Sequence, residues 1–259
     1  MVRARPRGSP QRFKTAAIVP AAGAGTRLGA AGAKTFKQFR PLAGLPVLVH
    51  VLRALDRSSV DAVYVAAPPG QATWVRREMV RAYGVRKVRA VVSGGSSRGE
   101  SVRKCVERVP AGFDVLLVHD GARPLVTPEL IDAVTAAAYE HGAALAAVAE
   151  TDTVKSVRRK GAGGWVRRTV SRESLWRAQT PQAFRAEGFR EALRRAAESG
   201  FDGPDDASFV EGAGGRVWVV PGDFRNLKVT SPTDLMLAEA LLSESSGKKR
   251  LSGWSRRGR

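Results

Sequence analysis

From residue 15 onward, short apolar runs alternate with stretches whose apolar residues recur every three or four positions. TAAIVPAA, starting at Thr15, predicts a buried strand, and PVLVHVLRALDR, starting at Pro46, has helical spacing. VDAVYVAAP is a second strand, ATWVRREMVRAYG a helix closed by Gly84, and VRKVRAVV a third strand. RGESVRKCVERV then reads as a helix and FDVLLVHD as a strand. TPELIDAVTAAAYEHG is a helix with Thr127 as N-cap and Pro128 in its first turn, and AALAAVAE is the next strand. Strands this continuously apolar must be buried on both sides. The expected architecture is therefore α/β, a mostly parallel sheet with helices on both faces.

The rhythm breaks over residues 151–172. TDTVKSVRRKGAGGWVRRTVSR predicts two short strands around a glycine turn at Gly161, Gly163 and Gly164. It is too polar for a core and is expected to project as an arm. EGFREALRRAAESG (helix), GRVWVVPG (strand) and SPTDLMLAEALLSES (a terminal helix opened by Ser231 and Pro232) resume the pattern. One domain over residues 15–245 is expected, with tails at 1–14 and 246–259.

Composition changes this picture in two places. The net charge of +19 suggests a polyanion partner, but residues 1–14 hold five Arg or Lys, residues 247–259 hold six, and neither stretch holds an acid. The 232 residues between carry only +8, which suits phosphate substrates better than specific nucleic-acid binding. The Gly, Ser, Pro and Arg of both tails are the composition of disordered segments. The single cysteine, Cys105, excludes an internal disulfide and a Cys-based metal cluster, and is expected in a reducing cytoplasm. No run approaches the roughly 18 apolar residues of a membrane span.

In open α/β sheets, ligands bind beyond the carboxyl ends of strands, so the segments there carry the candidate chemistry. After the first strand, Gly23 and Gly25 allow backbone N–H groups to approach an anion. The loop is not a dinucleotide fingerprint, because Leu28 stands where a third glycine is needed, and no Gly-Lys-Ser/Thr makes it a P-loop. Arg27 inside it, with Lys34 and Lys37 beyond, adds cations suited to a triphosphate. After the third strand, SGGSSRGESV offers Gly94, Gly95, Ser96 and Ser101 at a helix start, either for base and ribose oxygens or as a helix cap. VHDGARP ends the fourth strand with Asp120, which can hold Mg²⁺ or a hydroxyl, and Arg123, which can pair with a phosphate. A structural Asp–Arg pair is the alternative. His119 is expected to be a core histidine or a support for its neighbours.

Taken together, PAAGAGTRLG, KQFRPLAG, GGSSRGESV, VHDGARP, TDTVK, SRESLWRAQTPQAF, DDASFVE and NLKVTSPTDL resemble, in this order, the 2-C-methyl-D-erythritol 4-phosphate cytidylyltransferases of the non-mevalonate isoprenoid pathway. The resemblance covers about residues 15–243. It implies a Rossmann-like core, and a homodimer in which the arm of one subunit completes the other's site. It further implies transfer of CMP from CTP to methylerythritol phosphate, with Mg²⁺ carried mainly by the CTP phosphates. By position, Arg27 and Lys37 would be catalytic. Ala21, Ala22, Gly23, Gly25, Gly95, Ser101, Asp120 and Gly121 would line the nucleotide site. Arg123, Thr153, Arg172, Thr180 and Lys228 would hold the acceptor, Thr153 and Arg172 across the dimer. LGAAGAKTF is longer than in the family, so Lys34 competes with Lys37, which the ungapped run into RPLAGLPVLVH favours. Ser96 stands where the family commonly has an acid. Many members are fused to a cyclase; this chain is expected to act without one.

Two rivals remain at this point. HDGARP, DDAS and the tryptophan of SLW separate the chain from ribitol-5-phosphate cytidylyltransferases, which share the first loop and QTPQ. A non-catalytic nucleotide- or polyanion-binding protein would owe its binding to the tails.

Overall fold

The structure, a computed structural model, describes residues 13–23 and 36–251, with side chains described through residue 244. Seven strands form the main sheet: β1 (Thr15–Pro20), β2 (Ala62–Ala67), β3 (Val88–Ser93), β4 (Val115–Val118), β5 (Ala143–Ala149), β8 (Trp176–Arg185) and β9 (Trp218–Pro221), with β6 and β7 set apart in the arm. Their spatial order is β9-β5-β8-β4-β1-β2-β3. Every pairing is parallel except those of β8, which runs antiparallel to both β4 and β5. The sheet is thus mostly parallel, as the apolar runs predict, with one reversed strand at its heart that they do not.

Alternation along the strands distributes the core to two faces. Ala17 and Val19 of β1 pack with α1 (Val47–Arg57) and α4 (Pro128–His141) in one cluster. Ala16 and Ile18 pack with α3 (Arg98–Val106) and α5 (Ala186–Ser199) in the other. The caps form as expected for α4, where Thr127 accepts the Leu130 N–H at 3.2 Å. The helix expected after β2 begins as α2 (Ala72–Val75) and widens into a π-helical stretch, Arg76–Arg81. A short α6 (Ala207–Gly212) has no counterpart in the sequence pattern. The terminal helix α7 (Pro232–Leu251) runs past the boundary expected at 245. Asp234 caps its start by accepting the N–H groups of Thr230 and Ser231, both at 2.8 Å.

The arm is the predicted hairpin: β6 (Val154–Lys160) pairs antiparallel with β7 (Gly163–Val170), and Gly161 turns between them at φ +60°. Apart from the half-buried Val154, Ser156 and Val170, its strand residues are exposed.

Candidate functional site

Three loops meet where β1, β3 and β4 end, and glycine lets them pack. A Cβ on Gly94 would lie 2.2 Å from that of Ala22, and one on Gly121 would lie 3.0 Å from that of Ala21. Under this junction, the single turn Lys37–Phe39 places Gln38, buried to 2% exposure, so that its side-chain amide donates to the carbonyl of Ala21. Ser101, equally buried, ties the second loop: its Oγ accepts the Gly95 N–H at 3.0 Å and donates to the Ser97 carbonyl at 2.9 Å. Ser97 caps α3 by accepting from the Glu100 N–H at 3.1 Å. Ser96 is occupied too, its N–H and hydroxyl both donating to Glu100 Oε2 at 2.6 Å. That hydroxyl first, then Lys104, pulls the Glu100 carboxyl down to about 2.

These loops wall a cavity of about 350 Å³. Ala21, Ala22, Gly23, Lys37, Gly95, Ser101, Asp120 and Gly121 all line it, so the described residues expected at the nucleotide come together with the expected lysine. Gly25, Arg27 and Lys34 lie outside the described residues.

A second cavity, of about 580 Å³, adjoins the first. It contains Arg123, Thr180 and Lys228, three of the five residues expected at the acceptor. Thr153 and Arg172 are not among its lining; both are exposed at the root of the arm, where Arg172 donates to the Thr151 carbonyl. Arg98, Asp120 and Lys228 line both cavities and form the wall between them.

The reversed strand builds much of this wall. Because β8 is antiparallel, its amino-terminal half reaches the edge where β4 ends, with Gln182 paired opposite Val118. Thr180 therefore lies beside the β4 end, and its Oγ1 accepts the Asp120 N–H at 3.0 Å. Gln179 donates to the Asp223 carbonyl at 2.8 Å, and Asn226 donates to the Thr180 carbonyl at 2.8 Å, which fixes the loop leading to Lys228. Gln182 holds the loop before α6, accepting the Ala207 N–H at 2.8 Å and donating to Asp205 at 2.8 Å. The Thr180–Pro181 peptide bond is cis.

Asp120 is the electrostatic centre. Its Oδ1 accepts from both Nε and Nη2 of Arg98 at 3.1 Å, and its Oδ2 lies 2.9 Å from Lys228 Nζ and 3.5 Å from Arg123 Nε. Burial alone would raise this carboxyl; Arg98, Lys228 and Arg123 more than reverse that and hold it ionised, well below the usual carboxylate range. Asp206, wholly buried, accepts from Arg98 Nη2 at 2.6 Å. Its desolvation wins over Arg98 and pushes its carboxyl upward. Arg123 also donates to the Asn226 carbonyl at 2.8 Å, and burial lowers its guanidinium below the usual arginine value.

His119 supports this wall from behind. It is 0% exposed, and burial pushes it down to about 4, so it is neutral. Nε2 faces the Arg123 carbonyl at 3.2 Å and must carry the proton. Nδ1 then accepts the Thr180 hydroxyl proton across 3.2 Å. Thr180 spends its donor on His119, and only lone-pair capacity remains for a ligand.

Asp120, expected as a Mg²⁺ ligand, has both oxygens engaged by cations, and the described residues contain no group of three or more acids, His or Cys that could hold a metal. Arg98, Asp206, Gln38 and Gln182 are not singled out by the sequence. Arg98 lies inside the quoted GGSSRGESV and Asp206 inside DDASFVE, but nothing in either stretch says that the two side chains meet.

The sequence model for 2-C-methyl-D-erythritol 4-phosphate cytidylyltransferase matches residues 15–244. A protein of that name from Pelotomaculum thermopropionicum is 44% identical, covering 91% of this chain and 97% of its own length. One from Geobacter metallireducens is 43% identical over 88% of this chain and 97% of its own. Among solved structures, the protein of that name from Thermus thermophilus superposes with a TM-score of 0.73 at 32% identity, covering 89% of this chain and all of that one.

Proposed function

The chain belongs to the 2-C-methyl-D-erythritol 4-phosphate cytidylyltransferase family, and from that premise we propose how its two cavities divide the work. The reaction is CTP-dependent cytidylyl transfer onto methylerythritol phosphate, releasing pyrophosphate. The first cavity takes CTP, and the second takes the acceptor. The observation that carries this division is the shared wall of Arg98, Asp120 and Lys228. Two polyanions can approach each other only where fixed cations lie between them.

An acceptor phosphate oxygen attacks the α-phosphorus. The bond from that phosphorus to the bridging oxygen breaks, and pyrophosphate leaves with the electron pair. A phosphate monoester has a second pKa of about 6, so the nucleophile is ionised at neutral pH without a general base. Neither titratable group at the wall is called on as a base, since His119 is sealed behind it and Asp120 is saturated by cations. Lys37 and Arg27 stabilise charge at the α-phosphate, the backbone around Ala21–Gly23 and Gly95 cradles the nucleotide, and Arg123 and Lys228 hold the acceptor phosphate. Mg²⁺ carried on the phosphates of CTP would shield their charge, beside the cations Lys37, Arg98 and Lys228 that line the first cavity.

The acceptor site is completed by Thr153 and Arg172 of a second subunit. What supports a homodimer is the arm, whose Trp165 is 75% and Val166 61% exposed, and the absence of both residues from the cavity of their own subunit. No described helix is long and apolar enough to cross a membrane, and the one cysteine is a buried thiol, which fits residence in the cytoplasm.

The test is pyrophosphate release with CTP and Mg²⁺, comparing methylerythritol phosphate, ribitol 5-phosphate and no acceptor. Release only with methylerythritol phosphate is expected. Equal release with ribitol 5-phosphate would overturn the acceptor assignment.

A further inference from the structure

Asp206 lines neither cavity, although it belongs to the same charge cluster. It is 0% exposed, in the turn that Gln182 fixes before α6. Its Oδ2 accepts from Arg98 Nη2 at 2.6 Å, while its Oδ1 has no hydrogen-bond partner. A buried carboxylate with an idle oxygen is costly and seldom kept without a reason. Its side-chain hydrogen bond is to Arg98, so the reason must lie there.

Arg98 donates from Nε and Nη2 to a single oxygen, Oδ1 of Asp120. Two donors on one acceptor make a pivot, about which the guanidinium plane can still turn. Asp206 supplies the second fixed point and stops that rotation. Among the described residues, Nη1 has no hydrogen-bond partner, and Arg98 borders both cavities. A guanidinium anchored along one edge and open at the other is preorganised for phosphate.

We propose that Arg98 is a further phosphate-binding cation of this site and that Asp206, acting through it, is its positioning residue. The inference rests on the transfer reading above. Attraction of a polyanion needs only the charge of Arg98, but stabilising the crowded α-phosphate needs its direction, so Asp206 is felt in turnover more than in binding.

The experiment is a double-mutant cycle on the full-length enzyme with Asp206→Asn, Arg98→Lys and their combination, reading kcat and KM for each substrate and the melting temperature. Asp206→Asn is expected to lower kcat by about 10- to 100-fold, with each KM within about threefold of wild type. The double variant is expected to be no slower than Arg98→Lys alone, because the side-chain hydrogen bond of Asp206 to the site is the one to Arg98. Asp206→Ser, with room for a water, answers the same question if the asparagine variant does not fold. Near-wild-type kcat, a loss confined to KM, or losses that multiply in the double variant would each overturn the inference. Wild-type turnover is the control: an inactive wild type refutes the transfer reading itself, whereas a fully active Asp206→Asn enzyme refutes only this inference.

Discussion

The residues proposed to hold the acceptor fall in two regions built on opposite principles. Arg123, Thr180 and Lys228 sit at strand ends against a buried carboxylate, and Arg123 and Thr180 already have a neighbour holding them. Thr153 and Arg172 sit at the root of an exposed hairpin that touches little but itself, its strands contacting each other far more than the sheet. The wall is preorganised by its own chain, at the cost of desolvating several charges. The arm is a two-stranded ribbon with most of its surface exposed. On the proposed division, the described residues of one chain hold the lining of the nucleotide cavity and three of the five acceptor residues, and the arm of a second subunit would bring the other two.

The difference can be broken most violently at Asp120. Asp120→Asn leaves three cations facing a neutral amide, and removing one partner from a buried ionic cluster typically costs about 3–5 kcal/mol. Its turnover should fall by about 10²–10³, with a visibly lower melting temperature in a thermal scan. A stable, active Asp120→Asn enzyme would show that the wall needs no anion.

Arg172→Ala should act quite differently. It is exposed, so stability should stay within about 0.5 kcal/mol of wild type. Yet kcat/KM for the acceptor should drop by about 10²-fold with the KM for CTP unchanged, measured by pyrophosphate release. A loss of CTP affinity instead would place the arm at the wrong substrate.

A smaller effect sharpens the account of the wall alone. His119 is held near 4 in the folded protein against about 6.5 unfolded, so between these values the unfolded chain binds the extra proton. Stability therefore falls as pH drops from 6.5 towards 4, by on the order of 1 kcal/mol from this residue at pH 5.5. Denaturant titrations at pH 7 and 5.5 should show His119→Gln losing less than wild type between the two; equal losses would mean that His119 is not neutral. Smallest of all, Cys105, pushed up to about 12 by burial, should resist thiol reagents in the native protein, and rapid labelling would contradict its burial.

The two regions also differ in how far they can be read without a structure. The arm is plain, because polar alternation around Gly161, Gly163 and Gly164 has few other solutions. The parallel strands are plain as well, each a buried apolar run. β8 is not, since WRAQTPQAFR has neither clean alternation nor a continuous apolar run, and a proline argues against a central strand. The structure resolves this with an irregularity: pairing with β5 shifts register between Ala178 and Gln182, so Pro181 falls where no ladder hydrogen bond is asked of it. Of the residues lining the first cavity, Gly23, Gly95, Ser101 and Asp120 are legible from the segments that follow strands, whereas Ala21, Ala22 and Gly121 come from the resemblance alone. Arg98 and Asp206 are not, because they are 108 positions apart and meet only through the turn that Gln182 fixes.

The central claim, that an acceptor site is made from the wall of one subunit and the arm of another, is tested most directly by mixing two inactive enzymes. Arg123→Ala damages the wall and Arg172→Ala the arm, so a mixed dimer holds one site with both halves intact. After subunit exchange at equal concentrations, activity should return to about a quarter of wild type, since half the dimers are mixed and each carries one working site. No recovery, with exchange verified by mass, would contradict the account.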